Sequence, residues 1–215
     1  MRSPAPIQEL IRVNAHSSVR IELGGKILYV DPFSLREEPH DADLIFLTHD
    51  HFDHYSPEDI ARVDKPDTVF ILPASMAETA APALGGRRVL AVTPGDRGQV
   101  EGVAFEAVPA YNPGKRFHPR AKGWVGYVLE AEGLRIYVAG DTDATPEAAA
   151  VRCDAALLPI GGTYTMDPAE AAALVNEMRP GLVIPIHYGS VVGAPEDFNR
   201  FASAVAEGIR VVRVI

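Results

Sequence analysis

Residues 48–54 read THDHFDH and place three histidines and two aspartates within seven positions. The stretch follows the apolar run LIFL and precedes YSPEDIARV, so it lies where a predicted strand gives way to a loop and then a helix. His49 and His51 are two positions apart, and such side chains point to the same side of an extended segment. Both imidazoles can therefore reach one metal ion. Asp53 and His54 lie just beyond, where the chain bends, and can face a second ion.

The residue types of this cluster favour metal binding over a merely polar loop. Neutral imidazole and carboxylate are ligands that suit zinc and comparable divalent metals. One histidine at a strand end is usually structural. Three histidines and an aspartate packed together without metal would carry desolvation and like-charge costs. The H-x-H-x-D-H spacing therefore predicts a metal site.

Further ligands are expected from other strand ends. Asp141 follows the apolar run YVAG, and His187 follows VIPI. Each residue alone is weak evidence, but α/β proteins assemble their sites from loops at strand ends. Together with the cluster, these two residues make a coherent ligand set.

The composition indicates an acidic globular chain. Its 215 residues carry a net charge of −9, with 47% hydrophobic and 23% charged residues. Proteins that bind nucleic acid over their surface are normally basic, so this class is disfavoured. No apolar run reaches the ~18 residues of a membrane span, and MRSPAPIQEL lacks the apolar stretch of a signal peptide. The single cysteine, Cys153, is expected to pack rather than react, and it fits a cytoplasmic location.

The order of predicted elements indicates an α/β protein with mixed sheets. The first third reads as the strands IRVN, SVRIEL, KILYVD and ADLIFLT, followed by the helix SPEDIARV with Ser56 as its N-cap. The middle reads as the strand TVFILP, the helix SMAETAAPAL interrupted by Pro82, the strand RVLAV, an extended pair in QVEGVAFEAVPA turning at Gly102, and the hairpin WVGYVLEAEGLRIYVAG. The last third alternates DAALLPI, the helix DPAEAAALVNEM capped by Asp167, GLVIPIH, the helix APEDFNRFASAVAE and a closing strand IRVVRVI.

These motifs carry a family resemblance, because the chain resembles metallo-β-lactamase-fold proteins. THDHFDH is similar to the family's H-x-H-x-D-H signature, GDTD to the segment of its bridging aspartate, and PIHYG to that of its final histidine. HSSVRIELGGKILYVDP and GGTYTMDPAEAA resemble the subgroup that includes metal-dependent hydrolases, N-acyl-phosphatidylethanolamine phospholipase D and ascorbate-6-phosphate lactonase. The resemblance covers nearly the whole chain in the family's order.

The resemblance implies one domain, residues 1–215, folded as a four-layer αβ/βα sandwich with two mixed sheets and helices outside. It also implies two metal positions, with His49 and His51 at the first, Asp53, His54 and His187 at the second, and Asp141 bridging them. Asp31 matches an aspartate that supports the metal site through its ligands. His16 falls where the subgroup places a histidine near the substrate.

The chain departs from the family pattern at the third ligand of the first metal. The family usually supplies a histidine after a PA step, but VPAYN puts Tyr111 and Asn112 there. His118 is the only histidine between the cluster and Asp141. Either the loop folds back so that His118 replaces the ligand, which we favour, or the first site lacks one ligand.

The same loop carries four cations within eight positions, at Lys115, Arg116, Arg120 and Lys122. They either form a solvated face or collect an anionic group of the substrate beside the metals. Tyr164, between a predicted strand and a helix, is expected to line the pocket. Its hydroxyl can donate a hydrogen bond to a developing oxyanion.

The expected function is hydrolysis by a metal-bound hydroxide. The expected cofactors are two divalent ions, with zinc as the first choice and manganese, iron or nickel as alternatives. Asp141 is expected to bridge the ions and Asp53 to orient the hydroxide, while His16 or Tyr164 assists the leaving group. The substrate is expected to be a small molecule with a phosphodiester, ester, lactone or amide bond, and an anionic substrate is among the alternatives.

Two other functions compete with hydrolysis. The first is a metal-dependent sensor or binding protein without turnover, which the missing histidine after VPA keeps open. The second is di-iron redox chemistry, which His51 disfavours because those relatives carry a carboxylate at its position. No nucleic acid partner and no stable membrane association are expected, and a homo-oligomer is left open.

Overall fold

The computed structural model describes residues 6–214. Residues 1–5 and Ile215 lie outside this range, so the expectation for the first half of MRSPAPIQEL and for the last residue of the closing strand lies outside it too. None of the helices formed by the described residues has the length and apolar composition needed to cross a bilayer.

Two mixed sheets form the centre of the fold. The first consists of β1 (Ile11–Ala15), β2 (Ser18–Leu23), β3 (Lys26–Val30), β4 (Leu44–Phe46), β5 (Val69–Pro73) and β6 (Arg88–Val92), paired in that order. The second consists of β7 (Arg97–Val100), β8 (Val103–Pro109), β9 (Val125–Ala131), β10 (Leu134–Val138), β11 (Ala155–Pro159), β12 (Leu182–Ile186) and β13 (Arg210–Val211), again paired in chain order. In each sheet an antiparallel meander continues into parallel strands, from β3 to β6 and from β10 to β13.

Within residues 6–214, five helices cover the outer faces of the sheets. They are α1 (Pro57–Val63), α2 (Ala74–Ala80), α3 (Pro146–Ala150), α4 (Pro168–Met178) and α5 (Asp197–Ala204). Helices α1 and α2 pack on the first sheet, and α3, α4 and α5 pack on the second. The layers are therefore helix, sheet, sheet, helix, and the predicted fold class is confirmed.

The period-two pattern of the strands creates three separate cores. In β4, Leu44 and Phe46 face the layer between the two sheets, while Ile45 faces the helices of the first sheet. In β11, Leu157 faces the central layer and Leu158 faces the helices of the second sheet. Strands with apolar residues on both sides must be covered on both faces, which explains their continuous hydrophobic runs.

The predicted helix starts agree with the structure. Ser56 accepts a hydrogen bond from the Asp59 amide, and Asp167 forms a reciprocal capping box with Glu170. Helix α2 ends at Ala80, and a short 3-10 turn containing Pro82 follows, because proline cannot donate the next helical hydrogen bond.

Three details differ from the sequence prediction. The closing strand is only two residues long and pairs along β12 alone, at the edge of the sheet. Helix α5 spans eight residues rather than the fourteen predicted. Helix α3 is absent from the prediction, because TPEAAA is a single turn too short to show helical periodicity, although Thr145 caps it.

Candidate metal centre

The candidate ligands meet where strands of the two sheets end. His49 follows β4, Asp141 follows β10 and His187 follows β12, all at the carboxyl ends of parallel strands. Ligand sites in open α/β sheets lie at this edge. Six of the seven histidines belong to this cluster, and His40 lies elsewhere on the surface.

Three histidines form the first group of ligand atoms. His49 Nε2 lies 3.1 Å from His51 Nδ1, and His118 Nε2 lies 3.2 Å from the same His51 atom. Each offers one nitrogen, and all three nitrogens lie within 4.8 Å of one another. The structure therefore brings His118 together with His49 and His51, as the favoured alternative expects.

The loop after β8 folds back to bring His118 into this position. The Asn112 amide donates a hydrogen bond to the His118 carbonyl at 2.9 Å, and the Asn112 side-chain oxygen accepts one from His118 Nδ1. Asn112 Nδ2 also donates to Asp143 at 2.9 Å, which anchors the amide. Asn112 thus orients the ring of His118 rather than replacing it.

A second group of candidate ligands brings together residues from both sheets around the carboxylates of Asp53 and Asp141. Asp141 Oδ1 lies 3.2 Å from His54 Nε2, and Asp141 Oδ2 lies 3.1 Å from His187 Nε2. Asp53 Oδ2 lies 3.7 Å from His187 Nε2 and 3.9 Å from His54 Nε2. Asp141 Oδ2 is also 3.3 Å from His118 Nε2, so this carboxylate contacts both groups.

The directions of these side chains fit a shared cation better than pairwise hydrogen bonds. Among the described residues, His54 Nε2, Asp141 Oδ1 and His187 Nε2 are buried and make no hydrogen bond. Both imidazole nitrogens nevertheless lie 3.1–3.2 Å from a carboxylate oxygen of Asp141. Buried polar atoms are rarely left unsatisfied. His49, His54 and Asp141 each offer an atom within 4.8 Å of the other two, and so do His16, Asp53, His54 and His187 among themselves, which is close enough for each group to share one ion. The residues present therefore fit divalent metals.

Hydrogen bonds behind the rings fix which nitrogen faces the centre. Asp31 is fully buried and accepts from His54 Nδ1 at 2.7 Å and from the Thr48 hydroxyl at 2.6 Å. The Thr48 oxygen lies 2.9 Å from His49 Nδ1, from which it can accept. With Nδ1 acting as donor in both rings, each Nε2 keeps its lone pair for a metal.

The electrostatics divide the histidines into two sets. Burial lowers the pKa of His49 well below its usual value, and burial together with His118 lowers the pKa of His51. These rings are neutral and ready to bind metal. Burial also acts to lower the pKa of His54, but Asp141 and Asp31 outweigh it and raise that pKa.

The remaining groups form charge pairs in the absence of metal. Burial opposes ionisation of Asp141, yet His187 and His54 hold the pKa of this carboxyl well below its usual range. The pKa of His187 is raised, since Asp141 outweighs the effect of burial. Burial raises the pKa of Asp31, and His54 and Thr48 oppose that rise. A metal entering this cluster would displace protons from these histidines.

His16 lies behind the second group rather than in the open cavity. Its Nε2 is 3.2 Å from Asp53 Oδ2, its Nδ1 is 3.1 Å from the Ser190 hydroxyl, and its ring packs on His187 with centroids 3.9 Å apart. Burial lowers its pKa, and Asp53 opposes this effect. His16 is therefore placed to hold Asp53 or to add a ligand, and its expected role at the leaving group stays a prediction.

The cluster opens into a cavity of about 400 Å³ lined by His51, Phe52, Asp53, Phe117, His118, Asp141, Tyr164, His187 and Val191. Tyr164 is thus on the wall, as expected from the sequence. A cavity of about 490 Å³ near Tyr29 lies away from the candidate ligands. There Arg20 is already paired with Glu22 and Asp41, so the smaller cavity is the better candidate for chemistry.

The profile of the family described as "Beta-lactamase superfamily domain" matches residues 11–187. This chain belongs to that superfamily. A "UPF0173 metal-dependent hydrolase" from Thermococcus onnurineus is 30% identical over 93% of this chain and 94% of its own. Membership of this group of metal-dependent hydrolases makes the chain a metal-dependent hydrolase of the superfamily, as the sequence predicted.

Solved structures agree with this placement. A candidate metal-dependent hydrolase from Parabacteroides distasonis superposes with a TM-score of 0.79 at 32% identity, covering 94% of this chain and 91% of that chain. CmlA, a diiron β-hydroxylase from Streptomyces venezuelae, superposes with a TM-score of 0.69 at 15% identity over 95% of this chain and 48% of that chain. The second likeness shows the superfamily fold alone.

Two of the four loop cations have carboxylate partners. Lys115 contacts Asp143 at 2.8 Å and the Thr165 carbonyl at 2.7 Å, and Arg120 contacts Glu147 at 2.6 Å. These pairs tie the loop to the second sheet. Of the two alternatives, the collection of an anionic group by all four cations is therefore weakened, since the charge of two of them is already balanced.

Sequence reasoning missed two residues of this superfamily member's site. Thr48 joins Asp31 to His49, and its place directly before H-x-H was the available signal. Trp124 is buried, and its ring centroid lies 5.0 Å from that of His49 and 4.9 Å from that of His51. The indole packs as an apolar surface beneath these two rings, and no local sequence pattern predicts its contact with His49 and His51.

Tight backbone geometry positions the ligands. Asp31, His187 and His16 have φ values of 47°, 57° and 50°, in the left-handed region that non-glycine residues seldom adopt. Gly161 passes so close to β12 that a Cβ there would lie 2.2 Å from the His187 carbonyl oxygen. The sharp bends turn the side chains from the strand ends toward one centre.

Proposed function

We propose that this hydrolase cleaves a small-molecule ester, lactone, amide or phosphodiester with water that two bound divalent ions would activate. The observation that carries the proposal is Asp141, whose two carboxylate oxygens contact both groups of histidines. His49, His51 and His118 would hold one ion. Asp53, His54 and His187 would hold the other, with Asp141 shared.

Ions bound there would act as Lewis acids and lower the pKa of a coordinated water from about 15.7 to about 7. Asp53 lies on the cavity wall and is placed to accept and hand on the proton that the water loses. The water oxygen bonds to the carbonyl carbon or phosphorus, and the bond to the leaving oxygen or nitrogen breaks. The leaving group departs with the proton.

Other residues of the cavity support this chemistry. Tyr164 can donate a hydrogen bond to the charge that develops on the attacked group. Trp124 closes the side beneath the first three histidines and excludes solvent from it. Asp31 and Asn112 keep the rings of His54 and His118 in position.

We also propose zinc as the metal, two ions per chain, a small-molecule partner and a cytoplasmic location. Histidine-rich sites accept manganese, iron and nickel as well, so availability decides among them. The single cysteine supports a reducing compartment. The imidazole of His51, where the di-iron redox relatives of this fold resemble H-x-E-x-D with a carboxylate, favours hydrolysis over redox chemistry.

The test is a chromogenic panel assayed with each metal. Protein loaded with zinc, manganese, iron or nickel is given p-nitrophenyl esters, lactones, an anilide and bis-p-nitrophenyl phosphate. We expect turnover in at least one class, and its loss by 10³-fold or more in Asp141→Asn and His49→Ala. His40→Ala changes an exposed histidine outside the site and should retain full activity. Tight binding of metal without turnover in any class would favour the sensor function instead.

A further inference from the structure

The cavity in front of the candidate ligands has an unusual apolar rim. The structure exposes five large hydrophobic side chains among its described residues, and three of them, Phe52, Phe117 and Val191, line this one cavity. Isolated exposed hydrophobics need no explanation, but a contiguous group at the mouth of a site marks a binding surface.

The three side chains come from separate loops. Phe52 lies inside the H-x-H-F-D-H stretch, between His51 and Asp53, and is 69% exposed. Phe117 directly precedes His118, and Val191 lies in the loop after β12. The loops that carry candidate ligands therefore also carry the apolar side chains beside the cluster.

The aromatic rings of the rim are held in place by their neighbours. Phe117 meets Tyr164 edge to face with ring centroids 4.7 Å apart, and Phe33 meets Phe52 in the same way at 6.1 Å. The Arg116 guanidinium lies over the Phe117 ring at 5.3 Å. Such contacts fix the rings and leave their remaining surface open to a ligand.

No charged side chain lines the cavity except the candidate metal ligands, within the part of the chain that the structure describes. Of the four loop cations, Lys115 and Arg120 are paired with Asp143 and Glu147. Arg116 and Lys122 lie over the rings of Phe117 and Trp124 and do not line the cavity. A substrate group that extends beyond the reacting bond therefore meets aromatic and aliphatic surface.

We propose that the substrate of this hydrolase is a neutral acyl compound whose apolar chain or ring, next to the reacting carbonyl, packs on Phe52, Phe117 and Val191. This inference rests on the proposed function and narrows its substrate class. The cavity of about 400 Å³ has room for a chain of several carbons.

The first arm of the test measures turnover against chain length. The zinc-loaded protein is assayed with p-nitrophenyl acetate, butyrate and hexanoate, and each rate is divided by that of alkaline hydrolysis. A fully buried methylene strengthens an interaction about fourfold, and on an open rim about twofold. Hexanoate, with four more methylenes, should therefore exceed acetate about 15-fold or more in kcat/KM. Mono-p-nitrophenyl succinate, which ends in a carboxylate, should be poorer than butyrate.

Substitutions test whether the rim residues cause the dependence of kcat/KM on chain length. Phe52→Ser and Phe117→Ser should each reduce the hexanoate-to-acetate ratio at least about threefold, because each removes part of the surface that the chain covers. Leu90→Ser removes an apolar side chain that is 38% exposed on β6, and it should leave the ratio unchanged. A ratio near one in the unchanged protein, or a preference for succinate, would overturn the inference.

The second arm does not depend on turnover. Isothermal titration compares acetohydroxamate with hexanohydroxamate binding to the zinc-loaded protein and the same variants. We expect the longer ligand to bind at least about tenfold more tightly, and this advantage to shrink in Phe52→Ser. Turnover without chain-length dependence would contradict the apolar rim alone. Chain-length-dependent binding without turnover would support the rim and contradict hydrolysis.

Discussion

Replacement of Asp31 by asparagine should weaken metal binding about 10-fold to 100-fold, although Asp31 is not a predicted ligand. Its carboxylate accepts three hydrogen bonds, from the Thr48 amide at 2.8 Å, the Thr48 hydroxyl at 2.6 Å and His54 Nδ1 at 2.7 Å. An amide keeps the shape but offers one acceptor oxygen. The side-chain nitrogen would replace Oδ2, where two of the three donors point.

The substitution would weaken metal binding by changing which nitrogen of His54 carries the proton. Facing an N–H donor, His54 would move its own proton to Nε2, the atom that points to the centre. Restoring the binding form costs about 1.4–2.7 kcal/mol, which is the stated 10-fold to 100-fold loss. The Thr48 hydroxyl would also turn, which loosens its contact with His49.

The assay is competition for zinc between the purified protein and a chromophoric chelator. The matched control is Asp43→Asn at the other end of β4, where the carboxylate contacts Lys65 and the Ile27 amide. Circular dichroism establishes that both variants fold. Zinc affinity of Asp31→Asn within about threefold of the unchanged protein, or an equal loss in Asp43→Asn, would refute the proposed link from Asp31 to the metal.

Three further predictions concern His118, Gly161 and Cys153. His118→Ala should reduce tightly bound zinc from two ions per chain to about one, measured by elemental analysis after gel filtration, and an unchanged content would argue against the proposed ligand role. Gly161→Ala should destabilise the fold by about 1–3 kcal/mol in urea denaturation, because its Cβ would overlap the His187 carbonyl oxygen, whereas Gly181→Ala should change stability by less than about 0.5 kcal/mol. Burial raises the pKa of Cys153 to about 12, so at pH 8 its alkylation by iodoacetamide should be on the order of 10³-fold slower than in urea, and equal rates would show an accessible thiol.

Removal of the metal should also reverse the pH dependence of stability. In the metal-free protein the pKa of His54 and His187 is raised, so their contribution is fully present below about pH 6.5 and is lost as the pH rises through the folded values. The melting temperature of the EDTA-treated protein should therefore fall from pH 7 to pH 8.5. That of the zinc-loaded protein should hold or rise, because metal binding requires neutral histidines. Parallel curves would contradict the charge pairs described above.

The sequence was most informative where one short segment holds several candidate ligands. The spacing in residues 48–54 predicts that His49, His51, Asp53 and His54 lie together, and the structure brings all four into the cluster. The order of strands and helices likewise leads to the two-sheet architecture, since each apolar run needs cover on both faces.

Prediction was limited wherever a contact depends on a loop. His118 could be nominated because few histidines remain, but nothing in YNPGKRFH shows that Asn112 would turn back and hold the His118 ring. The partners of Lys115 and Arg120 lie 28 and 27 residues away along the chain. Such pairings follow from tertiary packing, so local sequence could not distinguish a substrate-binding cation from a structural one.

The left-handed backbone at Asp31, His187 and His16 lowers the stability of the fold while it directs these side chains toward the cluster. Glycine adopts these angles without the roughly 1–2 kcal/mol that an L-residue with a side chain incurs. Glycine at Asp31 would relieve this strain, but it would leave the buried Thr48 and His54 donors without their acceptor, at about 1–3 kcal/mol for each unpaired group. The bends that aim these imidazole and carboxylate groups are thus places where the fold carries backbone strain so that a side chain points toward the cluster.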